Sequence, residues 1–136
     1  MPSLELSGKV SLITGASRGL GRVIILKLSS MGSRVVINYL SHEREAEDVM
    51  SSIIQQGGEA MLAPADVRDG NSVKAMVRQI TDRWTKIDIL VNNAGINVDS
   101  LLLRISEEAW DSVIDTNLRG AYLCTKFALR SMMNQG

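Results

Sequence analysis

Three short stretches of this chain carry groups that could do chemistry: TGASRGLG (14–21), NNAG (92–95) and YLCTK (122–126). In the last, Tyr122 and Lys126 stand four residues apart, a spacing that stacks them on one helix face. An ammonium beside a phenol favours the phenolate and so makes the phenol a better proton donor. A surface helix can show the same spacing with no chemical purpose. In the first stretch, Gly15, Gly19 and Gly21 fall in Gly-x-x-x-Gly-x-Gly register. A backbone that turns sharply against a pyrophosphate needs residues without Cβ, and the next helix supplies free N–H groups for the anion. A tight turn that only packs helix on strand would use the same glycines. The strand–turn–helix context favours the dinucleotide.

The elements that would position these groups alternate along the chain. KVSLIT (9–14), RVVINY (34–39), EAMLAPADV (59–67) and IDILVNNAG (87–95) read as buried strands. Between them, helices are expected over 20–32, stopped by Gly32, over 41–58, opened by Ser41 and closed by Gly57-Gly58, and over 70–84, capped by Asp69. Residues 106–136 read as one long helix, with Trp110, Val113, Ile114, Leu118, Ala121, Thr125, Ala128, Leu129 and Met132 near helical spacing. The order βαβαβαβα predicts an α/β fold, a doubly wound parallel sheet of the Rossmann type with right-handed crossovers. Strands that are apolar throughout fit a sheet covered on both faces.

The 136 residues suffice for one domain with a core. Fifteen basic residues balance fifteen acidic ones, which argues against a nucleic acid or an anionic membrane as a partner held by charge. With one cysteine, Cys124, and one histidine, His42, neither an internal disulfide nor a Cys- or His-rich metal site is expected. No leader peptide and no apolar run of about eighteen residues is legible, so the expectation is a soluble cytoplasmic protein.

The Gly-x-x-x-Gly-x-Gly turn, NNAG after the fourth strand, the Asp66-Val67 pair after the third and Asn117 on the last helix occur in the order that marks short-chain dehydrogenase/reductases. The chain resembles that family along its whole length. Within it, TGASRGLG, LVNNAGINVDSLLLR and NLRGAYLCTK look most like 3-oxoacyl-[acyl-carrier-protein] reductases. The resemblance implies hydride transfer from a nicotinamide cofactor to a small or carrier-bound carbonyl substrate, with a 3-oxoacyl thioester giving the 3-hydroxyacyl product. It implies that Gly15, Ala16, Ser17, Arg18, Gly19, Leu20 and Gly21 line the phosphates. Asp66 and Val67 would meet the adenine, and Asn93, Ala94 and Gly95 the nicotinamide-side ribose, while Asn92 braces the sheet. Asn117 matches the family's catalytic asparagine.

The choice of nicotinamide cofactor turns on the end of the second strand. An acid there would bind the ribose hydroxyls of NAD and repel a 2′-phosphate. Here the strand ends in Asn38-Tyr39, and Arg18 sits in the glycine turn, where a guanidinium suits a phosphate; Ser41 or His42 could assist. These residues favour NADPH.

In the family, a Ser about a dozen residues before a Tyr-x-x-x-Lys completes the active site, beyond a fifth strand. Tyr122 stands only five residues after Asn117 on the same helix; Ala109 lies thirteen residues before Tyr122 and Ser112 ten. Tyr122 and Lys126 therefore read as fortuitous, with Tyr122 an aromatic packing residue. The chain reads as one dinucleotide-binding domain, 1–136, without the C-terminal half that bears the catalytic Ser, Tyr and Lys. It is expected to bind NADPH weakly, not to turn over ketone alone, and to join a homo-oligomer in full-length form through helix 106–136. A non-catalytic short isoform that binds nucleotide or pairs with a relative, and a carbonyl or steroid reductase of the same family, are the rival readings. Cys124 is expected as an apolar filler, Glu107 and Glu108 as first-turn charges after the cap Ser106, and Asp99 and Arg104 as solvated charges near the substrate mouth.

Overall fold

The computed structural model describes residues 5–96 and 100–134. Four strands, β1 (Val10–Ile13), β2 (Arg34–Tyr39), β3 (Ala60–Pro64) and β4 (Ile89–Val91), form one sheet in the order β3-β2-β1-β4. Every pairing is parallel. The crossovers are α1 (Gly19–Ser30), α2 (Glu43–Gln55) and α3 (Gly70–Trp84), and α4 (Glu107–Ile114) and α5 (Gly120–Met133) follow β4. Side chains alternate across the sheet. Val10, Leu12 and Val36 pack on one face with Val73, Ile80, Leu123 and Ala128. Ile13, Val35 and Ile37 pack on the other with Ile25, Val49 and Ile53. Two apolar layers around one sheet account for the uninterrupted Val/Ile/Leu runs of the strands.

Several boundaries differ from the sequence expectation, each for a local reason. β3 stops at Pro64, and residues 65–67 leave the sheet. β4 holds only three residues because the amides of Asn93 and Ala94 turn away to the Thr14 hydroxyl. α2 starts at Glu43, not Ser41; the residue before it is His42 in a left-handed conformation, φ 63°, with no side-chain cap. Asp69 does cap α3, accepting from the Asn71 amide at 3.1 Å, and Ser106 caps α4 through the Ala109 amide at 3.0 Å.

The expected single helix from 106 is broken in the middle. Between α4 and α5, Asp115–Arg119 forms a π turn, in which the Gly120 amide reaches back five residues to the Asp115 carbonyl. A π turn adds a residue to the helical stack without ending it, so the apolar spacing passes through it undisturbed. A short 3-10 turn, Leu102–Arg104, precedes α4. Asp99 lies outside the described residues, as do the last two residues of the expected helix.

Candidate functional site at the strand C-terminal ends

The C-terminal ends of β1, β2 and β4 meet where the chain direction reverses across the sheet, between β1 and β4. That is where an open parallel sheet leaves a crevice. A hydrogen-bonded web shapes it. The Thr14 hydroxyl accepts from the amides of Asn93 and Ala94, both at 2.9 Å, and the Thr14 amide donates to the Val91 carbonyl. Asn93 returns a bond from its side-chain amide to the Gly15 carbonyl at 3.0 Å. From the other side, Asn38 accepts from the Gly15 amide at 3.1 Å and donates to the Ala63 and Ala65 carbonyls. The turn after β1 is thus fastened to three strands.

Two glycines are fixed by this web. Gly15 has φ 62°, and a Cβ on it would lie 2.9 Å from the Ala94 Cα. A Cβ on Gly21 would strike the Gly15 carbonyl and lie 2.5 Å from the Asn93 amide nitrogen. No side chain caps α1, so the N–H groups of its first turn are available to an anion at the crevice.

The crevice encloses about 460 Å³, within the range of small-molecule and cofactor sites. Gly15, Ser17, Arg18 and Gly19 form one wall, and Asn38 and the 39–42 segment another. Asp66, Val67 and Arg68 close one end; Asn93, Ala94, Gly95 and Ile96 close the other, joined by Ser112 and Thr116. Three of the sequence candidates stand behind the lining. Ala16 is buried in the core, with its amide on the Asn38 carbonyl. Gly21 is packed beneath Gly15, and the Leu20 side chain points to solvent, 67% exposed. Asn38 lines the wall but is itself 2% exposed, its amide fully engaged with the scaffold. Asn92 reaches α5 rather than the sheet, donating to the Thr125 hydroxyl at 3.0 Å.

Sequence reasoning missed Thr14 and Arg68. Thr14 opens the quoted glycine stretch, but its contact to residues some eighty positions away has no local signature. Arg68 grips both oxygens of Asp66, at 3.0 and 2.9 Å, and its own carbonyl accepts from Arg119 at 3.1 Å. The Arg68 guanidinium holds the Asp66 carboxyl below the usual carboxylate range, against the opposing effect of burial.

Asn117 sits in the π turn. Its side chain accepts from the Ile96 amide at 2.8 Å and donates to the Ile96 carbonyl at 2.9 Å, so both ends of its amide hold the segment after β4. Arg119, two residues on, holds the Arg68 carbonyl. One five-residue turn therefore fastens both ends of the crevice. Tyr122 and Lys126 line neither end. The Lys126 ammonium lies over ring faces, 5.9 Å from the centroid of Tyr122 and 5.7 Å from that of Phe127. Cys124 is fully buried, and burial pushes its thiol up to about 11, far from a reactive thiolate.

A four-stranded parallel sheet, a glycine turn into an uncapped helix and a crevice at the strand ends define a Rossmann-type α/β unit. The family model for the short chain dehydrogenase matches residues 9–136, and the chain belongs to that family. It is 44% identical over 130 residues to a 3-oxoacyl-[acyl-carrier-protein] reductase of Synechocystis, covering 96% of this chain and 53% of that protein. It is 43% identical over 127 residues to the 3-oxoacyl-[acyl-carrier-protein] reductase FabG of Staphylococcus aureus, covering 93% and 52%. Among solved structures, a dehydrogenase/reductase from Sinorhizobium meliloti superposes with a TM-score of 0.92 at 33% identity, over 96% of this chain and 52% of that one. A short chain dehydrogenase from Burkholderia cenocepacia in complex with NADP gives 0.90 at 32%, over 94% and 52%. The chain spans about half the length of the curated relatives it matches.

Proposed function

We propose that this chain is the dinucleotide-binding part of an NADPH-dependent reductase whose substrate is a 3-oxoacyl thioester. The observation that carries the reading is the charge at one rim of the crevice. Arg18 lines it, is exposed and makes no ion pair among the described residues, while β2 ends in neutral Asn38 and Tyr39. The nearby Asp66 is already neutralised by Arg68. A 2′-phosphate meets an unpaired guanidinium there and no free carboxylate. The cradle fits the rest of the cofactor: the glycine turn and the first turn of α1 would hold the pyrophosphate, Asp66 and the Val67 backbone the adenine, and Asn93, Ala94 and Gly95 the nicotinamide-side ribose.

When bound, the cofactor supplies the hydride. The chain's own part is to orient it. Thr14 fixes the Asn93-Ala94 backbone, and Asn117 fixes Ile96 beside it, so that this end of the crevice keeps its shape. Asn117 acts in this reading as a positioning residue. Proton donation belongs to a Ser and a Tyr-x-x-x-Lys outside this chain, and the chain by itself does not turn over ketone. The similarity to 3-oxoacyl-[acyl-carrier-protein] reductases supports the thioester substrate over the carbonyl and steroid substrates of other family members.

An apolar stripe along α4, the π turn and α5 favours a second role, pairing with another subunit. Trp110, Leu118 and Tyr122 are 56%, 65% and 60% exposed at four-residue intervals, and Met133 extends the stripe at 71%.

Replacing Arg18 tests the cofactor assignment. Arg18→Ala should weaken NADPH binding about tenfold, the worth of one charge-assisted phosphate contact, and leave NADH unchanged. Equal losses for both dinucleotides would remove the 2′-phosphate from the account.

A further inference from the structure

A second cavity lies at the other end of the molecule. Its lining includes Thr85 and Lys86, which precede β4, so it opens at the N-terminal ends of the strands, away from the crevice. It is a groove of about 660 Å³ between the C-terminal halves of α3 and α5. Val77 and the half-buried Phe127 form its apolar floor, both packed onto the core beneath. Its walls carry Lys74, Arg78, Lys86 and Arg130, and no carboxylate lines it.

This segregation is not a reflection of overall charge, since the chain has equal numbers of acids and bases. Lys86 is paired with Asp88 at 3.1 Å, but Lys74, Arg78 and Arg130 make no ion pair among the described residues. Lys74 and Arg78 stand four apart on α3, where like charges repel and destabilise the helix. The Arg130 guanidinium stands 6.0 Å from the Phe127 ring centroid, which brings a cation directly to the apolar floor. Three unneutralised cations around an aromatic floor are complementary to one class of ligand, a small anion with an apolar body.

We propose that the α3–α5 groove binds an amphiphilic anion, its head among Lys74, Arg78 and Arg130 and its alkyl or aryl body on Phe127 and Val77. Guanidinium forks accept a carboxylate or a phosphate monoester equally well. The proposal is independent of the dinucleotide reading, because no residue is shared between the two cavities.

The test titrates the 136-residue chain with decanoate, decyl phosphate and decanol below their aggregation concentrations, following backbone amide shifts by NMR. Both anions are expected to move Val77, Arg78, Phe127 and Arg130, with decanol at least about tenfold weaker. The tighter of the two anions identifies the head group. The double variant Arg78→Glu/Arg130→Glu should lose about tenfold or more in anion affinity, while its remaining amide spectrum stays that of the parent, which separates lost binding from lost folding. Lys74→Gln should give a smaller loss in the same direction. No shifts at millimolar anion, equal binding of decanol, shifts confined to the Gly15–Asn93 crevice, or undiminished binding by the charge-reversed chain would each overturn the proposal.

Discussion

Thr14 shows how much of the crevice rests on one hydroxyl. It is 2% exposed and receives two backbone amides from the far side of the sheet. Replacing it with the near-isosteric valine leaves both amides without that acceptor, at about 1–3 kcal/mol for each group left unsatisfied. Thr14→Val should therefore lower unfolding stability by about 2 kcal/mol in urea titrations, and Thr14→Ser should recover most of it. Asp66 gives a pH signature. Its carboxyl is held below its ordinary value of 3.8 in the folded chain, so the Asp66–Arg68 pair stabilises the fold above that value. The contribution disappears as pH falls from 3.8 through the lowered folded value. Both groups are well solvated, so the effect stays below about 1 kcal/mol. Urea midpoints for the parent and Arg68→Ala should differ at pH 7 and converge below pH 3.8; a constant gap would mean that Arg68 acts through packing rather than charge. At this scale, the sequence displayed the residues that a local motif brings together, such as Gly15, Arg18 and Gly21. It hid Thr14 and the Asp66–Arg68 clasp, which depend on which strand ends become neighbours and on one side chain folding back on another.

At the scale of elements, the π turn ties the crevice together. Asn117 holds Ile96 with two hydrogen bonds, and Arg119 holds the Arg68 carbonyl. Asn117→Ala should speed hydrogen exchange of the Ile96 amide while the amides of β1 and β2 keep their protection, with a global loss of only about 1 kcal/mol because the site is exposed. Unchanged exchange at Ile96 would show that the clamp contributes nothing to local order. The number, kind and order of the main elements were legible, because apolar runs bounded by glycines and caps repeat clearly along the chain. The ends were not. β4 is shortened by hydrogen bonds to a residue seventy-nine positions earlier, and a π turn leaves the helical period nearly intact.

For the whole molecule, charge and apolar surface are distributed unevenly. β3 and β4 are the two sheet edges, and β4 is only half-buried. Together with the stripe on α4 and α5, that edge leaves an unusual amount of apolar surface facing water. If the stripe pairs subunits, the chain should sediment as a dimer at micromolar concentration, and Leu118→Glu with Tyr122→Glu should render it monomeric while preserving its circular dichroism. A parent chain that remains monomeric at tens of micromolar would remove that role. Among the described residues no helix is long and apolar enough to cross a membrane, and no cluster of His, Cys, Asp or Glu could hold a metal ion.

The central claim is that the crevice at the strand ends takes a phosphorylated nicotinamide dinucleotide. The most direct test is a parallel titration of the 136-residue chain with NADPH and NADH, following the amides of Gly15, Gly19, Gly21, Asn93 and Ala94 by NMR. The account predicts that both dinucleotides move these amides and that NADPH binds about tenfold more tightly. Failure of either dinucleotide to move them, or equal affinity for the two, would contradict it.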